Sequence, residues 1–206
     1  TVDWFGAFVQ GKYDTEKINL YGMGGVSTIG YTYHDHFAVD ADVVEADAIT
    51  TFQVKGGGRY NLDDRLSAFA NIGYVQKPPI LDNVIDYDGN VSTNPDNEKF
   101  ISNEIGGEYR SESVAIKGSY YNTQWKDRNL TKSVTTGQGD SGDTDIIYLT
   151  GVNQSHSGFE IESKVALHEM VDLDVAVSIG DWYFDGDAKG DYTEMEYNDD
   201  NQIIGQ

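Results

Sequence analysis

Several groups of side chains have types and spacing that could do chemistry. Asp185, Asp187 and Gly190, with Glu196 beyond them, follow the ligand order of an EF-hand calcium loop, but Lys189 puts a cation where an oxygen is required. The segment reads instead as a solvated acidic loop, crowded by Asp181, Asp191, Glu194, Asp199 and Asp200. His34 and His36 stand two apart and would share one face of a strand, where a carboxylate such as Asp35 or Asp40 could complete a transition-metal site. Asp35 would face the other way, so two rim imidazoles are the plainer reading. Ser155 and His156 are adjacent, and on a strand they point to opposite faces, which forbids a nucleophile and its base. Gly56-Gly57-Gly58 and Gly22-Met23-Gly24-Gly25 open no helix pattern and are not phosphate loops. Asp86-Tyr87-Asp88-Gly89-Asn90 is an acidic Asp-Gly turn. No catalytic residue, metal site or cofactor is expected.

The elements that must carry these groups follow from composition. Across 206 residues, 35 acidic and 14 basic side chains leave a formal charge of -21, which excludes nucleic acid as a partner because a polyphosphate would be repelled. The absence of cysteine removes disulfides, zinc knuckles and thiol chemistry. With 23 glycines, 3 prolines, 14 tyrosines, 8 phenylalanines and 3 tryptophans, the chain reads as strands and turns rather than as a disordered acidic tail. The run from Ile18 to His34 is uncharged but broken by four glycines, so it does not read as a spanning helix.

Apolar and polar residues alternate at period 2 in segment after segment. Phe159, Ile161, Ser163, Val165 and Leu167 oppose Glu160, Glu162, Lys164 and His168, and Ile101, Ile105 and Tyr109 oppose Glu104 and Glu108. Similar rows start at Phe52, Leu66 and Leu173. About eight two-faced strands emerge. Their connections alternate in length. Short polar turns fall at Asp14–Lys17, Leu62–Arg65, Arg110–Ser113 and around His168–Asp172, whereas Ala38–Thr50, Pro78–Lys99, Thr136–Asp145 and the segment from Asp187 onward are long and rich in Asp, Asn and Gly. One end of the sheet is trimmed and the other elaborated, which is the signature of a transmembrane barrel with short periplasmic turns and long extracellular loops. Tyr13, Tyr60 and Tyr109 lie beside the short turns, and Tyr74, Tyr120 and Trp182 toward the long loops, which predicts two aromatic girdles.

The residues then resemble a family. Asn94-Pro95-Asp96-Asn97-Glu98-Lys99, followed by Asn103-Glu104-Ile105-Gly106-Gly107-Glu108-Tyr109, is similar to a barrel motif of the TonB-dependent receptors of the bacterial outer membrane. Gly58-Arg59-Tyr60-Asn61-Leu62, Leu66 to Tyr74, Tyr120 to Arg128 and Gly158-Phe159-Glu160-Ile161-Glu162 resemble further strands of the same barrel. The resemblance implies energised uptake of a nutrient ligand, outer-membrane lipid around the wall, the TonB system acting through a plug, and no enzymatic activity. It also implies that Glu104, Glu108, Glu160 and Glu162 line the lumen and pair with Lys55, Arg59 or Lys117. The ligand would be a small nutrient (siderophore, oligosaccharide, peptide or vitamin), met by loop residues such as Asp86, Tyr87, Asp88 and Trp182.

No plug, signal peptide or terminal aromatic is read in the sequence, which ends Ile203-Ile204-Gly205-Gln206, so residues 1–206 are expected to be part of one barrel domain. A self-contained small outer-membrane barrel with an adhesive or structural role is the alternative. A secreted β-sandwich binding carbohydrate or calcium is a third.

Overall fold

The computed structural model describes residues 1–34, 43–85, 89–92, 95–136, 143–193, 196–197 and 203–205. Alternating sequence becomes strand throughout: β1 (Val2–Asp14), β2 (Ile18–His34), β3 (Val43–Glu45), β4 (Ile49–Asn61), β5 (Leu66–Lys77), β6 (Glu98–Arg110), β7 (Val114–Thr136), β8 (Asp143–His168), β9 (Val171–Phe184), β10 (Lys189–Thr193), β11 (Glu196–Tyr197) and β12 (Ile203–Gly205). The one helical element described is a 3-10 turn at Leu81–Asn83.

Among the described residues, ten of these strands form one antiparallel sheet in the order β1-β2-β4-β5-β6-β7-β8-β10, with β3 paired to β2 and β9 paired to β8. β9 and β10 run along the same side of β8, against residues 154–168 and 146–150, so together they occupy one position in the wall. Eight wall positions result, in agreement with the sequence count. β1 and the β9–β10 line are the sheet's two outer edges and do not pair with each other, so these eight strands form an open wall rather than a closed small barrel.

All four predicted tight turns are hairpins. Thr15 shows how they close: its amide donates to the Ile18 carbonyl at 2.8 Å, and its hydroxyl both donates to that carbonyl and accepts from the Ile18 amide. Asp63 plays the same part in the next turn, its carboxylate accepting from the amides of Arg65 and Leu66, each at 2.8 Å.

Register sorts the residues into two faces, with bulges between β7 and β8 and beside the β8–β9 turn. Phe52, Val54, Ile72, Ile105, Phe159 and Ile179 share one face and lie 48%, 54%, 63%, 62%, 64% and 73% exposed, an apolar surface with nothing among the described residues to cover it. The opposite face carries Arg59, Asn71, Glu104, Glu108, Lys117, Glu160 and Glu162.

Among the described residues, one cluster of buried hydrophobic side chains forms, at the long-loop end. The segment after β5 folds back over the polar face at the long-loop end, where Val84 and Ile85 pack with Tyr31 against Ile29, Tyr33, Val44 and Ile49. The Tyr31 hydroxyl donates to the Pro79 carbonyl at 2.9 Å and pins the segment there.

Candidate functional site

The polar face divides into two zones. Near the short turns it is a ladder of charge. Arg59 Nη1 lies 2.8 Å from Glu108 Oε2, and Arg110 Nη2 lies 2.6 Å from Glu108 Oε1. Tyr21 donates to Asn71 Oδ1 at 3.1 Å, Asn71 Nδ2 donates to Glu104 Oε2 at 2.9 Å, and Lys117 Nζ stands 3.6 Å from Glu104 Oε1. The Lys117 ammonium also lies 5.2 Å from the centre of the Phe69 ring. Adjacent strands bring these groups together because their registers place Phe69 opposite Gly106 and Glu108 opposite Lys117. Of the pairings expected from sequence, Arg59–Glu108 and Lys117–Glu104 form, while Lys55 takes no carboxylate among the described residues.

Near the long loops the same face turns aromatic. Register aligns Phe100, Trp125, Gln154 and Phe184 in one row and Ser102, Thr123, His156 and Trp182 in the next. Phe100 meets Trp125 edge-on at 5.2 Å. The Trp125 indole donates to Glu98 Oε2 at 2.9 Å, and Lys77 Nζ lies 3.0 Å from Glu98 Oε1. Glu98 is 1% exposed, so its charge is held by these two partners rather than by water. Arg128 lies over Trp125, its Cζ 4.1 Å from the ring centre, and donates from Nη1 to Gln154 Oε1 at 2.9 Å.

Trp182, expected from sequence both in an outward girdle and at the ligand, lies on the polar face opposite His156. It leaves the outward girdle, and Tyr183 takes the apolar side opposite Ser155. The reason is parity: Leu173, Val175, Val177 and Ile179 are odd-numbered, and no bulge separates them from Trp182. Asp86, Tyr87 and Asp88 lie outside the described residues, as do Asp35, His36 and Asp40 of the histidine reading. Residues 189–193, read from sequence as part of a solvated acidic loop, pair as a strand with β8. Ser155 and His156 do take opposite faces, opposite Tyr183 and Trp182. Among the described residues no group of three or more His, Cys, Asp or Glu is placed to hold a metal.

Sequence reasoning missed Glu98, Trp125 and Arg128 as one cluster. The available signal was the polar tetrad Lys126-Asp127-Arg128-Asn129, which breaks the alternation of β7.

A family model described as TonB dependent receptor-like, beta-barrel matches residues 1–205. No curated protein matches the sequence. Among solved structures, the chain is similar to the copper transporter OprC, with a TM-score of 0.62 at 17% identity over 87% of this chain and 29% of that one. It is also similar to the FrpB iron transporter from Neisseria meningitidis, with a TM-score of 0.61 at 18% identity over 87% of this chain and 25% of that one. The ferric-catecholate import receptor Fiu from E. coli K12 gives 0.57 at 13% identity over 98% of this chain and 30% of that one. The chain thus spans under a third of the length of each of these structures.

Proposed function

The chain belongs to the TonB-dependent receptor-like β-barrel family, and from that premise we propose that it forms part of the wall of an outer-membrane receptor that takes up a nutrient with TonB-supplied energy. Its apolar face meets lipid, its polar face meets the lumen, and its long loops face outward. The TonB system acts through a plug domain, and the ligand is met at the long-loop end by Asp86, Tyr87, Asp88 and Trp182. The observation that carries this reading is the division of eight wall positions into an exposed apolar face and a charged, hydrogen-bonded one. A soluble sandwich would bury the first face, and lipid is the solvent that suits it.

Metal-bearing ligands are the first to try, since OprC is a copper transporter and FrpB an iron transporter. The test compares cells with and without the full receptor, in TonB-competent and TonB-deficient backgrounds. Each strain grows on one limiting source at a time: ferric siderophore, copper, oligosaccharide or peptide. Growth on one source that needs both the receptor and TonB is the expected result. Growth on all four that ignores the receptor overturns the proposal.

A further inference from the structure

Arg128 stands where strand alternation alone would not put it. Gln124 and Asn122 face the apolar side of β7, so an undisturbed strand would send residue 128 to that side as well. Two compensating bulges prevent this. Trp125 pairs with Gln154 and Arg128 with Val152, so Lys126 and Asp127 together oppose Asn153 alone; then Arg128 to Leu130 spans Val152 to Leu149, which returns the extra residue on β8. Each bulge contains a residue at positive φ, Asp127 at 55° and Gly151 at 71°. The aspartate is held there by two contacts: its amide donates to Asn153 Oδ1 at 3.1 Å, and its carboxylate meets Lys99 Nζ at 2.7 Å. A left-handed non-glycine residue costs free energy, and here the cost turns a guanidinium from the lipid side to the polar side.

What the guanidinium finds there is unusual for this chain. Among the described residues, four cations are half-buried: Arg59, Lys99, Lys117 and Arg128. The first three have a carboxylate within salt-bridge distance, and Arg128 has none among the described residues. Its described partners are the Trp125 face and the Gln154 amide oxygen. Among the described residues these use one of its five N–H donors, which leaves the planar fork to match a carboxylate in two parallel hydrogen bonds. Trp125 is fixed beneath it by Glu98 and Phe100, so the platform is rigid before any ligand arrives.

Height along the wall agrees. At about 3.3 Å per residue Trp125 lies roughly 36 Å along β7 from Val114, or about 28 Å up a strand tilted by about 40°, just beyond an apolar band about 25 Å tall. The cluster therefore sits at the watery rim on the long-loop side.

We infer that Trp125 and Arg128 form a subsite for an anionic planar ligand, an aromatic carboxylate, whose ring lies along the Phe100–Trp125 surface and whose carboxylate is gripped by the Arg128 fork. This rests on the reading of the long-loop end as the ligand side, and it is independent of whether uptake is energised.

The test is calorimetric titration of the full receptor in detergent with 1-naphthoate and with its neutral analogue 1-naphthamide. Wild type should bind the anion at least about tenfold more tightly than the amide. Arg128→Gln should abolish that preference and leave the amide's affinity unchanged, and Lys126→Gln, an exposed cation two residues away, should change neither. Should Arg128→Gln fail to assemble, Arg128→Lys keeps the charge without the fork and should still lose at least about threefold for the anion. Equal binding of the two probes by wild type, no binding of either, or wild-type anion affinity in the Arg128 variants overturns the inference. The probes are bound in vitro without TonB, so failure here and failure of the uptake test are separate results.

Discussion

The Trp125 indole N–H donates to Glu98 at 2.9 Å, joining the middle of one strand to the first residue of its neighbour. Because Glu98 is buried while Lys77, its other partner, is 56% exposed, the bond fixes the aromatic row from below and leaves the lysine able to regain water. The segment 78–97 ends at this carboxylate, so the bond also anchors the loop that folds over the polar face.

Glu98→Ala should therefore cost about 1–3 kcal/mol, chiefly by orphaning the indole donor, since the lysine can be resolvated. Limited proteolysis of the full receptor checks it. Cleavage within 78–97 should accelerate in the variant, and unchanged protection would show that the Tyr31–Pro79 bond and the Val84–Ile85 core hold the loop unaided.

Ile105 is 62% exposed at the middle of the apolar face. Ile105→Arg should destabilise the barrel in lipid vesicles by about 2–4 kcal/mol. Ser178→Arg, at an exposed position on the polar face, should cost less. Urea unfolding of both variants measures the difference, and equal costs would contradict a lipid-facing assignment.

Two neighbouring glycines should differ sharply. A Cβ at Gly106 would meet the Gly118 carbonyl oxygen and lie 2.5 Å from Phe69 Cζ, whereas one at Gly107 has the Ser67 carbonyl oxygen at 3.4 Å as its nearest neighbour. Gly106→Ala should cost about 1–3 kcal/mol by displacing the ring under Lys117, and Gly107→Ala should be close to neutral. Thermal unfolding of the two variants decides the ranking.

The carboxyl of Asp63 is held below the ordinary carboxylate range by the amides of Arg65 and Leu66. A depressed folded pKa means that the turn's extra stability is present above the unfolded value, about 3.9, and is lost as pH falls through the lower folded value. Amide exchange at Arg65 and Leu66 should lose protection below about pH 4 in wild type. In Asp63→Asn that dependence should vanish, and a variant that kept it would assign it to another group.

The sequence by itself determined the strands, the tight turns, the trimmed and elaborated ends and the charged pairs of the polar face. All of these are local or period-2 properties: Glu104 and Glu108 must share a face, and Arg59–Glu108 needs little more than neighbouring strands in register. The tertiary structure decided what breaks the period. Arg128 lies on the polar face because an extra residue in β7 inverts its side, and β7 alone carries no mark of where its bulge pairs with β8. Glu98 is 1% exposed and bonded to the Trp125 indole and the Lys77 ammonium from two neighbouring strands, and an acidic residue opening a strand gives no sign of such burial. Trp182 faces inward by a parity readable from Leu173 onward. That it joins Phe184, Trp125 and Phe100 in one aromatic zone followed from register across four strands, which depends on long-range pairing rather than on local pattern.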